Sequence, residues 1–264
     1  MGAEHNLARA PLAMIRAPAW GHAMTPEVWR MLLSACVVVA VVLLLKGQCR
    51  KPRWWPGRFF IRVMNASHSA LTDWGLAHVP LQPHFTLLDV GCGGGRTIDK
   101  LATIASAGRI HGIDYSAASV AVARRTNKRW IEAGRVEIRQ GSVSQLPFPE
   151  GTFDVVSAVE THYYWPDPAA DVREILRVLK PGGRLILIAE TYRGQRFDAL
   201  YRPTMKLLRA TYLTEDEHRE LLSAAGFAEV VVSVEASKGW ICVVGRRPAQ
   251  DARLDDATRG DLPA

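Results

Sequence analysis

The chain has 264 residues, 48% hydrophobic and 22% charged, enough for one sizeable core with an appendage and unlike a fibrous or wholly disordered chain. The net charge of +7 lies in residues 1–65, which hold nine Lys/Arg against Glu4 and Glu27, whereas the remainder is neutral, so nothing in the composition points to nucleic acid gripped by the folded domain. Four scattered cysteines, Cys36, Cys49, Cys92 and Cys242, give neither a disulfide framework nor a metal site.

After a short tail, 1–25, residues 31–45 (MLLSACVVVAVVLLL) run without a charge. At about 1.5 Å per residue they fall short of a hydrocarbon core of about 30 Å; a helix over 26–46 is long enough if Arg30 snorkels to the interface. Thr25 can cap it, with Pro26 and Glu27 in its first turn. The pattern predicts a transmembrane helix over 26–46. Two readings compete: a buried core helix, hard to place because the run is apolar on every side, and a cleaved signal peptide, at odds with the long tail before it. Six basic residues follow the run within 20 positions, against Arg16 and Arg30 before it. The positive-inside rule then predicts a single pass of the inner (cytoplasmic) membrane, with the C-terminal domain facing the cytoplasm. Residues 47–64 mix cations with aromatics (Lys51-Pro52-Arg53-Trp54-Trp55, Arg58-Phe59-Phe60) and read as a juxtamembrane linker or as a solvated one packed on the domain.

From residue 80 onward strands alternate with helices. Strands are predicted at 85–90, 109–113, 135–139, 153–158 and 184–189, and helices at 96–107, 117–133 and 168–179, the last stopped by Pro181-Gly182-Gly183. A 25-residue link leads to Thr214-Glu215-Asp216-Glu217, a capping box opening a helix that Gly226 ends. Strands 229–235 and 240–246 then form a hairpin. Five βα units plus this hairpin predict an α/β domain over 65–247: a doubly wound, seven-stranded, mostly parallel sheet with an antiparallel C-terminal hairpin. The polar tail 248–264 reads as disordered.

The strongest chemical signal is the run LLDVGCGGGRT at 87–97. Gly91, Gly93 and Gly95 let the backbone turn and approach a ligand before a helix N-terminus. Asp89, at the strand end, would repel a pyrophosphate and suits a cationic ammonium or sulfonium ligand. Asp114 follows about 20 residues after the loop, where an acid accepts both ribose hydroxyls, and Tyr115 can lie on an adenine.

Together these residues resemble the class I S-adenosylmethionine-dependent methyltransferases, in particular the small-molecule, type 11-like group with an LDVGCGxG loop, over about residues 65–245. The resemblance implies S-adenosylmethionine as cofactor, with Asp89 to Gly95 around the methionine moiety and Asp114 on the ribose. Gly141-Ser142-Val143 with Leu146-Pro147-Phe148 looks like the adenine motif; it departs from the family pattern in having Ser142 where an acid is usual, which leaves a weaker acceptor for the amino group. Phe153-Asp154-Val155-Val156 and Leu179-Lys180-Pro181-Gly182-Gly183 look like the fourth strand and the turn into the fifth.

Methyl transfer rests on alignment, and a base is needed only where the acceptor must lose a proton. The fourth strand delivers Glu160-Thr161-His162-Tyr163-Tyr164-Trp165 to the carboxyl edge, and the fifth delivers Glu190-Thr191-Tyr192. His162 is the first candidate for a base, with local packing as the competing reading. Glu160 and Glu190 are candidates for orienting the acceptor or binding a cation. Tyr163, Tyr164 and Trp165 either line an acceptor pocket, with Tyr192, or cover the sheet edge. In the resembled family the region before the first strand forms a helix over the cleft, which implies that Asn65, His68 and Trp74 close the site; helix capping by Thr72 or Asp73 is the alternative. The link after the fifth strand is expected to cover the pocket.

These readings predict a membrane-tethered methyltransferase whose partners are a small-molecule or lipid-like acceptor and, through 26–46, the membrane. Nucleic-acid methylation is disfavoured by the neutral domain and by the lack of an Asn/Asp-Pro-Pro-aromatic run after the fourth strand. A nicotinamide oxidoreductase is disfavoured by Asp89 and the terminal hairpin. A cofactor-binding scaffold without catalysis stays open, because the loop and Asp114 speak only for binding.

Overall fold

A computed structural model describes residues 69–249, which lie within one compact unit. The tail 1–25, the expected transmembrane helix 26–46, the linker 47–64, Asn65, His68 and residues 250–264 lie outside the described residues. Among the described residues no helix is long and apolar enough to cross a membrane.

The elements in chain order are α1 (Ser69–Leu76), β1 (Thr86–Val90), α2 (Arg96–Ile104), β2 (Arg109–Asp114), α3 (Ala117–Thr126), α4 (Lys128–Glu132), β3 (Val136–Gln140) and β4 (Phe153–Val159). A 3-10 turn (His162–Tyr164) follows, then α5 (Pro168–Val178), β5 (Leu179–Ala189), α6 (Asp198–Leu208), α7 (Glu215–Ala224), β6 (Ala228–Glu235) and β7 (Trp240–Arg246). The seven strands are ordered β3-β2-β1-β4-β5-β7-β6, parallel from β3 to β5, with β7 antiparallel between β5 and β6.

Alternation along the buried strands separates two cores. Leu87, Ile110, Val155, Ile186 and Ile188 join Leu71 of α1, Ile98 and Leu101 of α2 and Ala123 of α3 on one face. Leu88, Val156, Leu185 and Leu187 join Val172, Ile175 and Val178 of α5 and Leu222 of α7 on the other. The doubly wound sheet expected from the sequence is therefore present in the domain. Between β1 and β4 the order in which the strands are wound reverses, and a crevice opens outside the strands' carboxyl ends, where such sheets place ligands.

Four local expectations differ. The helix expected over 117–133 breaks at Asn127, whose buried amide donates to the carbonyls of Gly95 (2.8 Å) and Ala123 (2.9 Å). Between β3 and β4 runs a loop, 141–152, without a helix, so the five βα units are not all realised. Strand β5 begins at Leu179 rather than Arg184, because Leu179 already pairs with Phe153 and the Pro-Gly-Gly segment bulges out before Arg184 rejoins opposite Val155. The link 191–214 contains an 11-residue helix, α6, which Pro203 hides from a sequence reading.

Candidate functional site

Strand β1 ends in buried apolar residues and then turns sharply: the amides of Gly91 and Cys92 both donate to the carbonyl of Ile113, at 2.8 and 3.0 Å. Gly91 has φ +73, and a Cβ there would stand 2.3 Å from Thr161 Oγ1. Gly95, at the N-cap of α2 with φ +79, would place a Cβ 2.4 Å from Asn127 Nδ2 and 2.9 Å from the backbone of Ala123. These positions demand glycine by left-handed geometry and by contact together. Asn127 and Thr161, which the sequence reading missed, thus brace the loop from the α3 and β4 sides.

Above the loop lies a cavity of about 300 Å³. Its lining includes Asp89, Gly91, Gly93, Asp114, Tyr115, Ser142, Val143, Glu160, Tyr164 and Trp165 among the expected residues, together with Thr72 and Thr161. Thr72 stands inside α1, so that helix reaches the cavity, and the capping reading for Thr72 fails. Gly95 braces the loop from beneath and is not among the lining residues; nor are Trp74, His162, Tyr163, Glu190 and Tyr192.

Two carboxylates form the cradle. Asp114 accepts from Gly93 N at 2.9 Å through Oδ2 and from Ser116 N at 2.8 Å through Oδ1. The Ser119 side chain is a further hydrogen-bond partner, and a carboxylate fixed in this way at the cavity lining is the acceptor a ribose diol requires. Asp89 is buried, 2% exposed, and accepts from Ser157 Oγ at 2.7 Å. Burial pushes its carboxyl up to about 7, against the Ser157 hydrogen bond and helped by the nearby charge of Asp114. Burial also raises Asp114, while the Ser116 and Gly93 amides pull it down. The lining cation, Arg96, is directed to Ser69 Oγ at 3.1 Å. An acid-rich cavity of this kind suits a positively charged adenosyl ligand and opposes a pyrophosphate. The residues present therefore fit S-adenosylmethionine: Asp114 for the ribose, Tyr115, Ser142 and Val143 at the base end, Asp89 and the glycine loop for the methionine part.

The acceptor side departs further from expectation. His162 is 2% exposed; its Nε2 lies 3.2 Å from Nε2 of His218 on α7, whose Nδ1 donates to the Thr214 carbonyl at 2.7 Å. His218 is thus an acceptor at Nε2, and His162 donates to it. Burial, then the neighbouring His218, hold His162 well below its ordinary value, so the ring is neutral and sits away from the cavity lining. This is the packing alternative for His162 rather than the placement of a base. Tyr163 donates its hydroxyl to the Thr191 carbonyl at 3.0 Å and locks the 3-10 turn onto the chain after β5. Trp74 packs beside Trp240 at 5.8 Å between ring centroids. Glu160 does reach the cavity, from a left-handed backbone (φ +58), and its carboxylate accepts from the Glu190 amide. Among the described residues no cluster of three or more His, Cys, Asp or Glu could hold a metal ion.

A family model described as a methyltransferase domain matches residues 88–187. The chain is similar to the 27-O-demethylrifamycin SV methyltransferase of Amycolatopsis mediterranei, 38% identical over 128 residues (47% of this chain, 46% of that protein). It is also similar to the 2-methyl-6-phytyl-1,4-hydroquinone methyltransferase of Synechocystis, 32% identical over 201 residues (72% of this chain, 58% of that protein). It thus spans about half the length of these two curated relatives. In fold it resembles a SAM-dependent methyltransferase from Aquifex aeolicus, with TM-score 0.58 and 22% identity, covering 72% of this chain and 97% of that one. Sheet order, glycine loop, paired acids and matched segment agree, and all of them liken the folded domain of this chain to the class I S-adenosylmethionine-dependent methyltransferases.

Proposed function

We propose that the chain transfers a methyl group from S-adenosylmethionine to a small, lipid-like acceptor, and that residues 26–46 tether the domain to the cytoplasmic membrane. The observation that carries the reading is the single cavity that joins the acidic cradle of Asp89 and Asp114 to a wall of Val159, Glu160, Thr161, Tyr164 and Trp165. When bound, the cofactor supplies an activated methyl on a cationic sulfur. The chain's own part is to align and to exclude water. Asp114 and the Gly93 amide fix the ribose end, Thr72 of α1 closes one side, and Trp165, whose Nε1 donates to Thr161 Oγ1 at 3.1 Å, holds the opposite wall against the glycine loop. Glu160 is the carboxylate on the acceptor side. It is placed to orient a hydroxyl and to take its proton as the methyl arrives.

The names of two relatives favour such acceptors, since one is a rifamycin and the other a phytyl hydroquinone methyltransferase. The charge-free run 31–45 with its following cations supports the tether. The test is incubation of the full chain with host membranes and S-adenosylmethionine carrying a labelled methyl. Label is expected in a product extracted into organic solvent, and its appearance should be lost in Asp114→Ala. Label confined to nucleic acid or protein would overturn the acceptor class, and no label in any fraction, with cofactor still bound, would return the chain to a binding scaffold.

A further inference from the structure

We infer that helix α6 is a second membrane contact, lying with its outer face on an anionic lipid surface beside the acceptor end of the cavity. The inference rests on the membrane reading above and adds a peripheral docking face to it. Projected at about 100° per residue, α6 has two faces. Met205 is buried and Tyr201 and Leu208 are partly buried, which fixes the inner side. Opposite them stand Leu200, Pro203 and Leu207; Leu200 is 73% and Leu207 46% exposed. A folded domain gains nothing by turning two leucines two helical turns apart into water, and such a stripe marks a docking face.

Charge selects the occupant. Although the chain beyond residue 65 is neutral in sum, residues 193–212 carry five cations, Arg193, Arg196, Arg202, Lys206 and Arg209, against one acid, Asp198. Asp198 is engaged by Arg202 and by the Tyr212 hydroxyl, and Arg193 pairs with Glu217 of α7, so the cations beside the stripe are Arg196, Arg202, Lys206 and Arg209. Arg202 and Lys206 flank the leucine stripe on one side, and Arg196, exposed, precedes the helix. Apolar residues edged by cations match an anionic bilayer surface, where the leucines enter the acyl boundary and the cations remain among the headgroups. A protein partner is not favoured by such a narrow, cation-edged stripe.

The chain after α6 ties this surface to the cavity. Just beyond the helix the Thr211 amide donates to the carbonyl of Tyr163 at 2.8 Å, in the 3-10 turn whose Tyr164 lines the cavity. The segment carrying the helix that would rest on lipid is therefore tied to the acceptor-side wall, and an amphipathic acceptor has a short path from the bilayer.

The test uses the full chain in vesicles of phosphatidylcholine with phosphatidylglycerol, in pure phosphatidylcholine vesicles, and in detergent, with hydrogen exchange read over residues 196–210. Exchange in α6 should be at least about tenfold slower in the anionic vesicles than in the other two. The double variant L200E/L207E, whose side chains are exposed, should lose that difference while keeping S-adenosylhomocysteine affinity. Equal exchange in both vesicle types overturns the proposal. So does protection already present in detergent, which would assign the face to a second copy or to the chain's own remaining residues. Release by high salt separates the two membrane readings. A chain that leaves the vesicles entirely, yet shows α6 protection at low salt, removes the transmembrane tether and keeps this contact; a chain that stays while α6 exchanges freely does the reverse.

Discussion

Asp89 serves the ligand at the expense of the fold. Unfolded, its carboxyl titrates near 3.8; folded, at about 7. Between those values the folded chain holds a proton that the unfolded chain has lost. The stabilising contribution is thus complete below 3.8 and is lost as pH rises through about 7, a difference on the order of 4 kcal/mol. Asp89→Asn should therefore raise the melting temperature of the ligand-free protein at about pH 8, with little gain near pH 4, while weakening the cofactor; calorimetry and thermal melts check both sides. A cation in the cavity favours the ionised acid, so S-adenosylmethionine should bind more tightly above pH 7 and release a proton below it. Binding heats in buffers of different ionisation enthalpy measure that proton. Asp114→Ala should cost at least about tenfold in S-adenosylhomocysteine affinity, about 1.4 kcal/mol. For the histidine pair the sign is opposite: both pKa values lie below 6.5, so their contribution is intact above that pH and is lost as pH falls below it. His162→Ala should destabilise by roughly 2–4 kcal/mol, through a cavity and an orphaned His218. It should leave the shape of the pH–rate profile unchanged; a profile that loses a limb would return His162 to the chemistry.

Elements built on a strong local rule were legible, and those decided by contact were not. The apolar runs gave the strands within a residue or two, except for β5, and Thr214 with Glu217 forms the capping box that its spacing announced. Thr214→Ala should cost about 1 kcal/mol of stability, read by chemical denaturation. The glycine loop was legible because its glycines sit where φ is positive. What the sequence hid was the partner of each: nothing local links Gly95 to Asn127, 32 residues on, or His162 to His218, 56 residues on. Gly95→Ala should be more damaging than the cap mutation, by several kcal/mol, since the added methyl meets backbone as well as a side chain that cannot turn away. His162 was misplaced for the same reason. A residue beyond a strand's carboxyl end was read as facing the crevice, but the 3-10 turn swings it toward α7, while Glu160 and Tyr164 remain at the cavity.

At the scale of the molecule, the cradle and the acceptor wall come from different stretches of chain. Asp89 and Asp114 stand at the carboxyl ends of β1 and β2 and Ser142 follows β3, whereas 160–166 follows β4, and the segment carrying α6 follows β5 and is tied to that wall by the Thr211 amide on the Tyr163 carbonyl. Summed charge concealed the last of these, because five cations in residues 193–212 vanish in a neutral total. The fold is thus divided along the sheet at β1 and β4, the pair where the winding changes direction. A chimera that takes residues 191–214 from a homologue should change which compound leaves methylated while its grip on the methyl donor stays as it was. Such a division lets a lineage try new chemistry on one flank without ever risking the reagent it spends on the other.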